Sequence, residues 1–228
     1  MDKEIQHQCE IHGVNWTGID DSSYPPLLRE LHDPPEVLYY RGVLPDPEKA
    51  LVAIVGTRKP SPEAANEAYK LGLQFGQANI VLVSGLALGI DALAHRGNLD
   101  GGGKTIAVLG SGLANIYPAS NRALARRIVN EGGCMVSEYP PMTPPAKWTF
   151  PARNRIIAGL ARSVIVEEAP AKSGALITAD FALELGRDIW VGSQGLSERW
   201  GAGTAKLVED GARTITCAQD IVEDWYGN

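Results

Sequence analysis

From residue 50 onward, short apolar runs ending near glycine alternate with amphipathic stretches. The run "ALVAIVG" (50–56) is continuous rather than alternating, the pattern of a strand buried on both faces. Ser61 can cap a helix through about Ala78, with Pro62 at its first position and Glu63 in its first turn. The alternation then predicts strands at 79–85, 104–112, 134–138, 162–168 and 188–192. Between them fall helices at 89–99, 120–133, 153–160 and 174–186. Two helical stretches, "GTAKLVEDGA" and "AQDIVEDW", flank a short strand at Arg213 to Thr216. Upstream, a short helix on Leu27, Leu28 and Leu31 precedes a strand from Val37 to Tyr40, and Asp46 and Pro47 mark a linker. Residues 1–23 give no firm pattern and read as an N-terminal stub, expected to be partly mobile. The remainder, 24–228, reads as one α/β domain. Its sheet should be doubly wound and mostly parallel, with helices on both faces and right-handed crossovers.

Ligands of such sheets sit beyond the carboxyl ends of the strands. The residues there are Gly56-Thr57-Arg58, Ser84-Gly85, Gly110-Ser111-Gly112 and Lys172-Ser173-Gly174. Glycine lets backbone N–H groups approach an anion, and helix N-termini add a positive dipole. Arg58 and Lys172 supply charge at the same rim. The long fourth connection, "PPAKWTFPARNRIIAG" (144–159), adds Lys147, Arg153 and Arg155 around Trp148 and Phe150. The expected result is a phosphate-binding edge built from several loops.

The net charge of -6 argues against a polyanion ligand, but the acids are unevenly spread. No Asp or Glu lies between Asp100 and Glu131, a stretch holding Lys104, Arg122, Arg126 and Arg127. None lies between Glu138 and Glu167, which encloses Lys147, Arg153, Arg155 and Arg162. Local potential decides where a polyanion docks. Cations explain phosphates, whereas rings suggest bases, because single strands bind to basic grooves with aromatic platforms. Phe150 is expected to contact ligand and Trp148 to pack.

Other classes find less support. No GxGxxG motif is followed by a ribose-binding acid, and no GxxxxGK[ST] occurs. In "GLALGIDAL", Gly85 and Gly89 suit a sharp turn and close helix packing. His95 lies at helical spacing from Asp91, with no nucleophile beside it. Glu167 and Glu168 could supply a general base at the rim, or could orient cations or cap a helix. Asp180 and Glu184 read as a solvated pair. Cys9, Cys134 and Cys217 are scattered and suit neither a disulfide framework nor a zinc site. No apolar run is long enough to span a membrane, and the polar N-terminus lacks a signal core, so a cytoplasmic location is expected.

With these residues in place, the chain resembles the DNA-processing protein A family (DprA, also called Smf). The resemblance runs through "YPPLLRELHDPPEVLYYRG", "AIVGTRKPS", "SGLALGIDALAHRG", "AVLGSGLANIYPASNRAL", "SEYPPMTPPAKWTFPARNRIIAGL", "EAPAKSGALITADFALELGRDIWV" and "KLVEDGARTITCAQDI", covering about residues 24 to 224. It implies an extended Rossmann fold that binds single-stranded DNA, without a cofactor and without established catalysis. It implies a role in natural transformation, protecting incoming strands and loading the RecA recombinase. The family's DNA contacts fall on Arg58, Ser111, Gly112, Lys147, Phe150, Arg153, Asn154, Lys172, Ser173 and Gly174. Pairing into a homodimer is also implied, with Ile189, Trp190, Val191, Leu207 and Val208 forming an apolar cluster near the sheet edge. Three departures stand out. Many members carry a helical N-terminal domain and a winged-helix C-terminal domain, and neither is expected here beyond the stub at residues 1–23. "VGSQG" replaces Pro-Gly-Asn after the sixth strand, and Gly203-Thr204-Ala205 replaces Gly-Thr-Asn. Two rivals remain: a phosphoribohydrolase-like nucleotide enzyme, whose PGGxGTxxE loop is absent, and a scaffold that only recruits recombinase.

Overall fold

The computed structural model of the chain describes residues 2–47, 49–196 and 201–227. Among them one sheet is built from β1 (Asn15–Gly18), β2 (Val37–Gly42), β3 (Leu51–Val55), β4 (Val81–Ser84), β5 (Thr105–Val108), β6 (Cys134–Ser137), β7 (Ser163–Val166), β8 (Asp188–Gly192) and β9 (Arg213–Ile215). Their spatial order is β1-β2-β6-β5-β4-β3-β7-β8-β9. The block from β6 to β9 is parallel, and β2 and β1 are added antiparallel at one edge. The helices are α1 (Lys3–His12), α2 (Pro62–Gln77), α3 (Ile90–Asp100), α4 (Arg122–Asn130), α5 (Thr149–Leu160), α6 (Gly174–Glu184), α7 (Ala202–Glu209) and α8 (Ala218–Tyr226). The chain is therefore the expected α/β fold with a doubly wound, mostly parallel sheet.

The continuous apolar strands fill two layers. In β3, Leu51, Ala53 and Val55 enter one layer while Val52 and Ile54 enter the other, following the two-residue strand period. The first layer is closed by Ile156 and Ile157 of α5, Ala175 and Ala179 of α6, and Leu28. Leu71 and Phe75 of α2, Ala94 of α3 and Trp225 of α8 close the second. Leu124 and Ile128 of α4 continue that face with Cys9 of α1. Each large side chain so buried contributes about 1.5–3 kcal/mol over its exposed state.

Ser61 caps α2 as its sequence suggests, its Oγ accepting from Ala64 N at 3.2 Å. Other segments differ from expectation. Residues 1–23 contain α1, capped by Asp2 and ended by left-handed Gly13, and β1, which pairs with β2. The short helix near Leu28 is a 3-10 turn, Pro26–Glu30, where two prolines leave few backbone donors. Helix α5 starts at Thr149, four residues before the expected Arg153. Pro151 is tolerated because first-turn N–H groups need no partner within the helix. Ile189, Trp190 and Val191 are buried inside the chain's own sheet. Leu207 and Val208 are half-buried, and Leu207 packs on the core, so this cluster is not an exposed edge patch.

The order of strands positions the site. From β3 the chain builds outward through β4, β5 and β6, then returns to place β7 on the other side of β3. The loops after β3 and β7 diverge at this reversal, where doubly wound sheets hold ligands.

Candidate nucleic-acid interface

A cleft of about 790 Å³ opens at that reversal. Thr57, Arg58 and Lys59 line it from the loop after β3, and Lys172, Ser173 and Gly174 from the loop after β7. Lys147, Phe150 and Asn154 line it from α5 and its approach. Arg58, Lys59, Lys147 and Lys172 are exposed, and among the described residues no carboxylate pairs with any of them. The N-terminus of α6 also faces the cleft, capped by Ser173 Oγ, which accepts from Ala175 N at 3.3 Å. Its dipole adds to the positive potential. Asn154 Nδ2 donates to Gly174 O at 3.0 Å and ties α5 to this helix start.

The rings are arranged differently from expectation. Trp148 is 67% exposed, meeting Tyr139 edge-on at 5.9 Å between centroids. It sits at the cap position of the longer α5, outside the core, so it is not the packed ring. Phe150 lines the cleft but is half-buried, with Tyr117 tilted against it at 5.4 Å and the Arg58 guanidinium 5.8 Å from its centroid.

Two expected rim cations are held by partners inside the fold, although Arg153 still contributes to the cleft lining. Arg153 is only 5% exposed, and its Nη1 donates to Gly85 O at 2.8 Å and to Val108 O. Burial lowers its pKa to about 10, against the pull of Asp91, so it stays charged at neutral pH. Arg155 forms a two-pronged pair with Glu138, both contacts at 2.7 Å, and donates Nε–H to Asp33 O at 3.0 Å. The acid it needs lies just before the acid-free stretch.

The serines and glycines after β4 and β5 are likewise internal. Ser84 Oγ donates to Ile54 O at 2.6 Å, and Ser111 Oγ to Asn115 O at 2.7 Å. Gly112 spends its N–H on Thr143 O at 2.9 Å. A β-carbon there would lie 2.1 Å from Pro140 O, so glycine is required by the close approach of two loops. Gly85 lies under the Arg153 guanidinium, and Gly110 lies against Thr149 and Phe150. Gly56 lies against Ile90, and the Thr57 N–H donates to Glu168 O at 2.7 Å. Gly89, at φ +75°, packs against Thr57 O and starts α3, the turn-and-packing role its sequence suggests.

Among the cleft-lining residues that the sequence reading did not place at the rim are Lys59, Tyr117 and Asp91. Lys59 was legible as the neighbour of Arg58 in "GTRKP". Tyr117 follows no strand directly and gave no signal. Asp91 lies under the cleft, its Oδ2 accepting from Gly85 N at 3.0 Å and Ala87 N at 3.4 Å. Burial raises its pKa, and Arg153 and these N–H groups oppose the rise.

The acid–base candidates His95, Glu167 and Glu168 do not line the cleft. His95 Nδ1 bonds Thr105 Oγ1 at 2.6 Å, and burial lowers its pKa to about 3. Glu168 accepts from Ser61 Oγ at 2.6 Å and so anchors the start of α2. Glu167 is buried against Gly192, and burial followed by the Glu67 carboxyl holds its pKa well above the usual range. The altered last rim packs onto the segment that follows β7. Gly195 abuts Glu167 O, Gly203 N donates to Ala169 O at 2.8 Å, and Thr204 Oγ1 lies 2.8 Å from Gly201 O. Among the described residues there is no cluster suited to a metal, no helix is long and apolar enough to cross a membrane, and the cysteines are free.

Fold and cleft together define a Rossmann-like domain whose strand-end site suits an anionic ligand with planar groups. The family profile of DNA recombination-mediator protein A matches residues 15–226. The chain belongs to that family. It is 43% identical over 205 residues to the DNA processing protein DprA of Streptococcus pneumoniae, covering 90% of this chain and 72% of the relative. To the protein Smf of Synechocystis it is 46% identical, covering 89% of this chain and 52% of the relative. The solved structure of DprA from Streptococcus pneumoniae superposes with a TM-score of 0.86 at 39% identity, over 97% of this chain and 77% of that one. DprA from Helicobacter pylori, in a structure described for its single-stranded DNA binding mode, gives 0.80 at 30% identity, over 92% of this chain and 95% of that one. The molybdenum cofactor carrier protein of Chlamydomonas reinhardtii, at 16% identity and a TM-score of 0.55 over 79% of this chain and all of that one, shares the fold alone.

Proposed function

We propose that this chain binds single-stranded DNA in the cleft at the β3–β7 reversal and acts as a recombination mediator rather than an enzyme. The observation that carries the proposal is the set of four cations, Arg58, Lys59, Lys147 and Lys172, that no described carboxylate pairs, around a ring-lined cleft in a chain of net charge -6. Phosphates meet these cations and the α6 N-terminus, while bases reach Phe150 and the exposed Trp148. The family's description as a recombination mediator and the binding mode named for the Helicobacter pylori protein support this reading. Its finer part is that the protein works in the cytoplasm as a homodimer, protects incoming strands during transformation and hands them to RecA.

The nucleotide-enzyme reading is less well supported. Among the described residues, the carboxylate lining the cleft, Asp91, is buried and occupied by backbone N–H groups, and no matched acid–base pair lines the cleft. The test is titration with single-stranded and duplex DNA over a range of salt, alongside mononucleotides with an assay for base release. Tighter binding to single strands, weakening steeply with salt, is expected. Equal affinity for duplex, a flat salt response, or base release would overturn the reading.

A further inference from the structure

Helix α4 turns Leu124, Ala125 and Ile128 into the core and leaves Arg122 and Arg126 exposed on its outer side. Neither arginine has a hydrogen bond or ion pair among the described residues. Their neighbour Arg127 does, meeting Asp100 and Glu131 at 2.7 Å each. No described residue pairs with the other two. Like charges four residues apart on a helix repel each other. Arg122 also stands in the first turn, at the positive end of the helix dipole, where no acid accompanies it. Two cations in an unfavourable place, on a chain with an excess of acids, indicate an anion from outside.

The position of α4 says which anion. Asn121 Nδ2 donates to Leu86 O at 2.9 Å and to Ala87 O at 3.2 Å, fastening the start of α4 to the loop after β4. Ala87 and Tyr117 line the cleft, and Leu88 and Pro118 line its continuation. Tyr117 and Leu88 are each 47% exposed and form an apolar lip there. The cationic side of α4 starts four residues after Pro118. Arg122 and Arg126 are separated by about 6 Å along the helix, the order of one step between phosphates of an extended strand.

We infer that a DNA single strand seated in the cleft leaves it over Tyr117 and Leu88 and continues along α4, its phosphates meeting Arg122 and Arg126. The inference rests on the single-strand reading of the cleft and adds a second segment of binding surface to it.

The test compares the parent, the double variant Arg122→Gln/Arg126→Gln and the cleft variant Lys147→Ala, on a short oligothymidylate and one several times longer, over a range of salt. The double variant should bind the short strand like the parent. On the long strand it should lose roughly tenfold in affinity, and its salt slope should fall by about 1.4, two phosphates at about 0.7 each. Lys147→Ala should weaken both lengths. Arg122→Lys/Arg126→Lys should retain the parent's salt slope, because charge is what the contact uses. The melting temperature of the glutamine variant should hold or rise as the repulsion is removed. A double variant that matches the parent on the long strand overturns this inference and leaves the cleft reading intact. A parent that binds neither oligonucleotide overturns both.

Discussion

The loops after β3 and β7 and the loops after β4 and β5 are made of the same residue types and end in opposite states. Around β3 and β7, Arg58, Lys172 and Gly174 remain exposed, and a β-carbon on Gly174 would meet nothing within 4 Å. Around β4 and β5, Ser84, Gly85, Gly110, Ser111 and Gly112 are all buried, with another loop or the Arg153 guanidinium laid over them. The difference follows from topology. Where neighbouring strands send their chains away in opposite directions, the loops part. Where they send them the same way, the loops stack and use glycine to approach one another. The open half can meet a ligand, and the closed half holds it in shape.

Four outcomes would break or sharpen that contrast. The largest belongs to the closed half. Arg153→Ala removes the donor for Gly85 O and Val108 O and leaves Asp91 without its buried countercharge. A loss of about 3–5 kcal/mol in unfolding free energy is expected. If chemical denaturation shows a folded variant of parental stability whose only defect is DNA affinity, Arg153 belongs to the open half after all.

A pH effect comes next. His95 has its pKa lowered from 6.5 to about 3 by burial, with Arg153 adding to the shift. The unfolded chain therefore takes up a proton that the folded chain refuses. This contribution to stability is complete above pH 6.5 and is lost as pH falls toward 3. Melting temperature should decline through that window more steeply in the parent than in His95→Gln. Parallel curves would mean that the imidazole is not sealed in the closed half.

Gly112→Ala should cost about 1–3 kcal/mol, because its methyl group has no room beside the Pro140 and Pro141 carbonyls. Normal stability with weakened DNA binding would instead make Gly112 a ligand contact.

The smallest effects on stability are expected in the open half. Lys147→Ala and Trp148→Ala should each change it by no more than about 0.5 kcal/mol. Both should weaken single-strand binding, but in different ways. The lysine variant should lower the salt slope by about 0.7, and the tryptophan variant should leave it unchanged, since stacking releases no counterions. A fall in melting temperature for Trp148→Ala would return that ring to the core.

Much of the fold was legible because buried parallel strands leave continuous apolar runs, and because Ser61 and Pro62 announce α2. The N-terminal 23 residues were not, since α1 buries little of itself and β1 spans four residues at an edge. The open half of the site was readable from the rule that places ligands at strand ends. The closed half was not, because a glycine that admits a phosphate and one that admits a neighbouring loop look alike in sequence. Charge misled for the same reason. Arg155 finds Glu138 seventeen residues away, and Arg153 finds two carbonyls that only the sheet brings together.

The strand order has a consequence for how the family grows. The outermost strands are β1 and β9, which lie near the two ends of the chain, while the cleft sits at the β3–β7 seam. Five strand spacings separate β3 from β1, and two separate β7 from β9. Relatives of which this chain covers 72% or 52% carry additional polypeptide. Polypeptide joined before α1 starts from the β2 side of the sheet, where Arg41 Nη2 donates to His12 O, whereas polypeptide joined after α8 starts beside the first residue of β7, where Trp225 Nε1 donates to Ser163 Oγ at 2.9 Å, at the strand end opposite the cleft. In both places it lies away from the strand ends that form the cleft, so it can be gained, lost or exchanged as a module while the seam keeps its geometry.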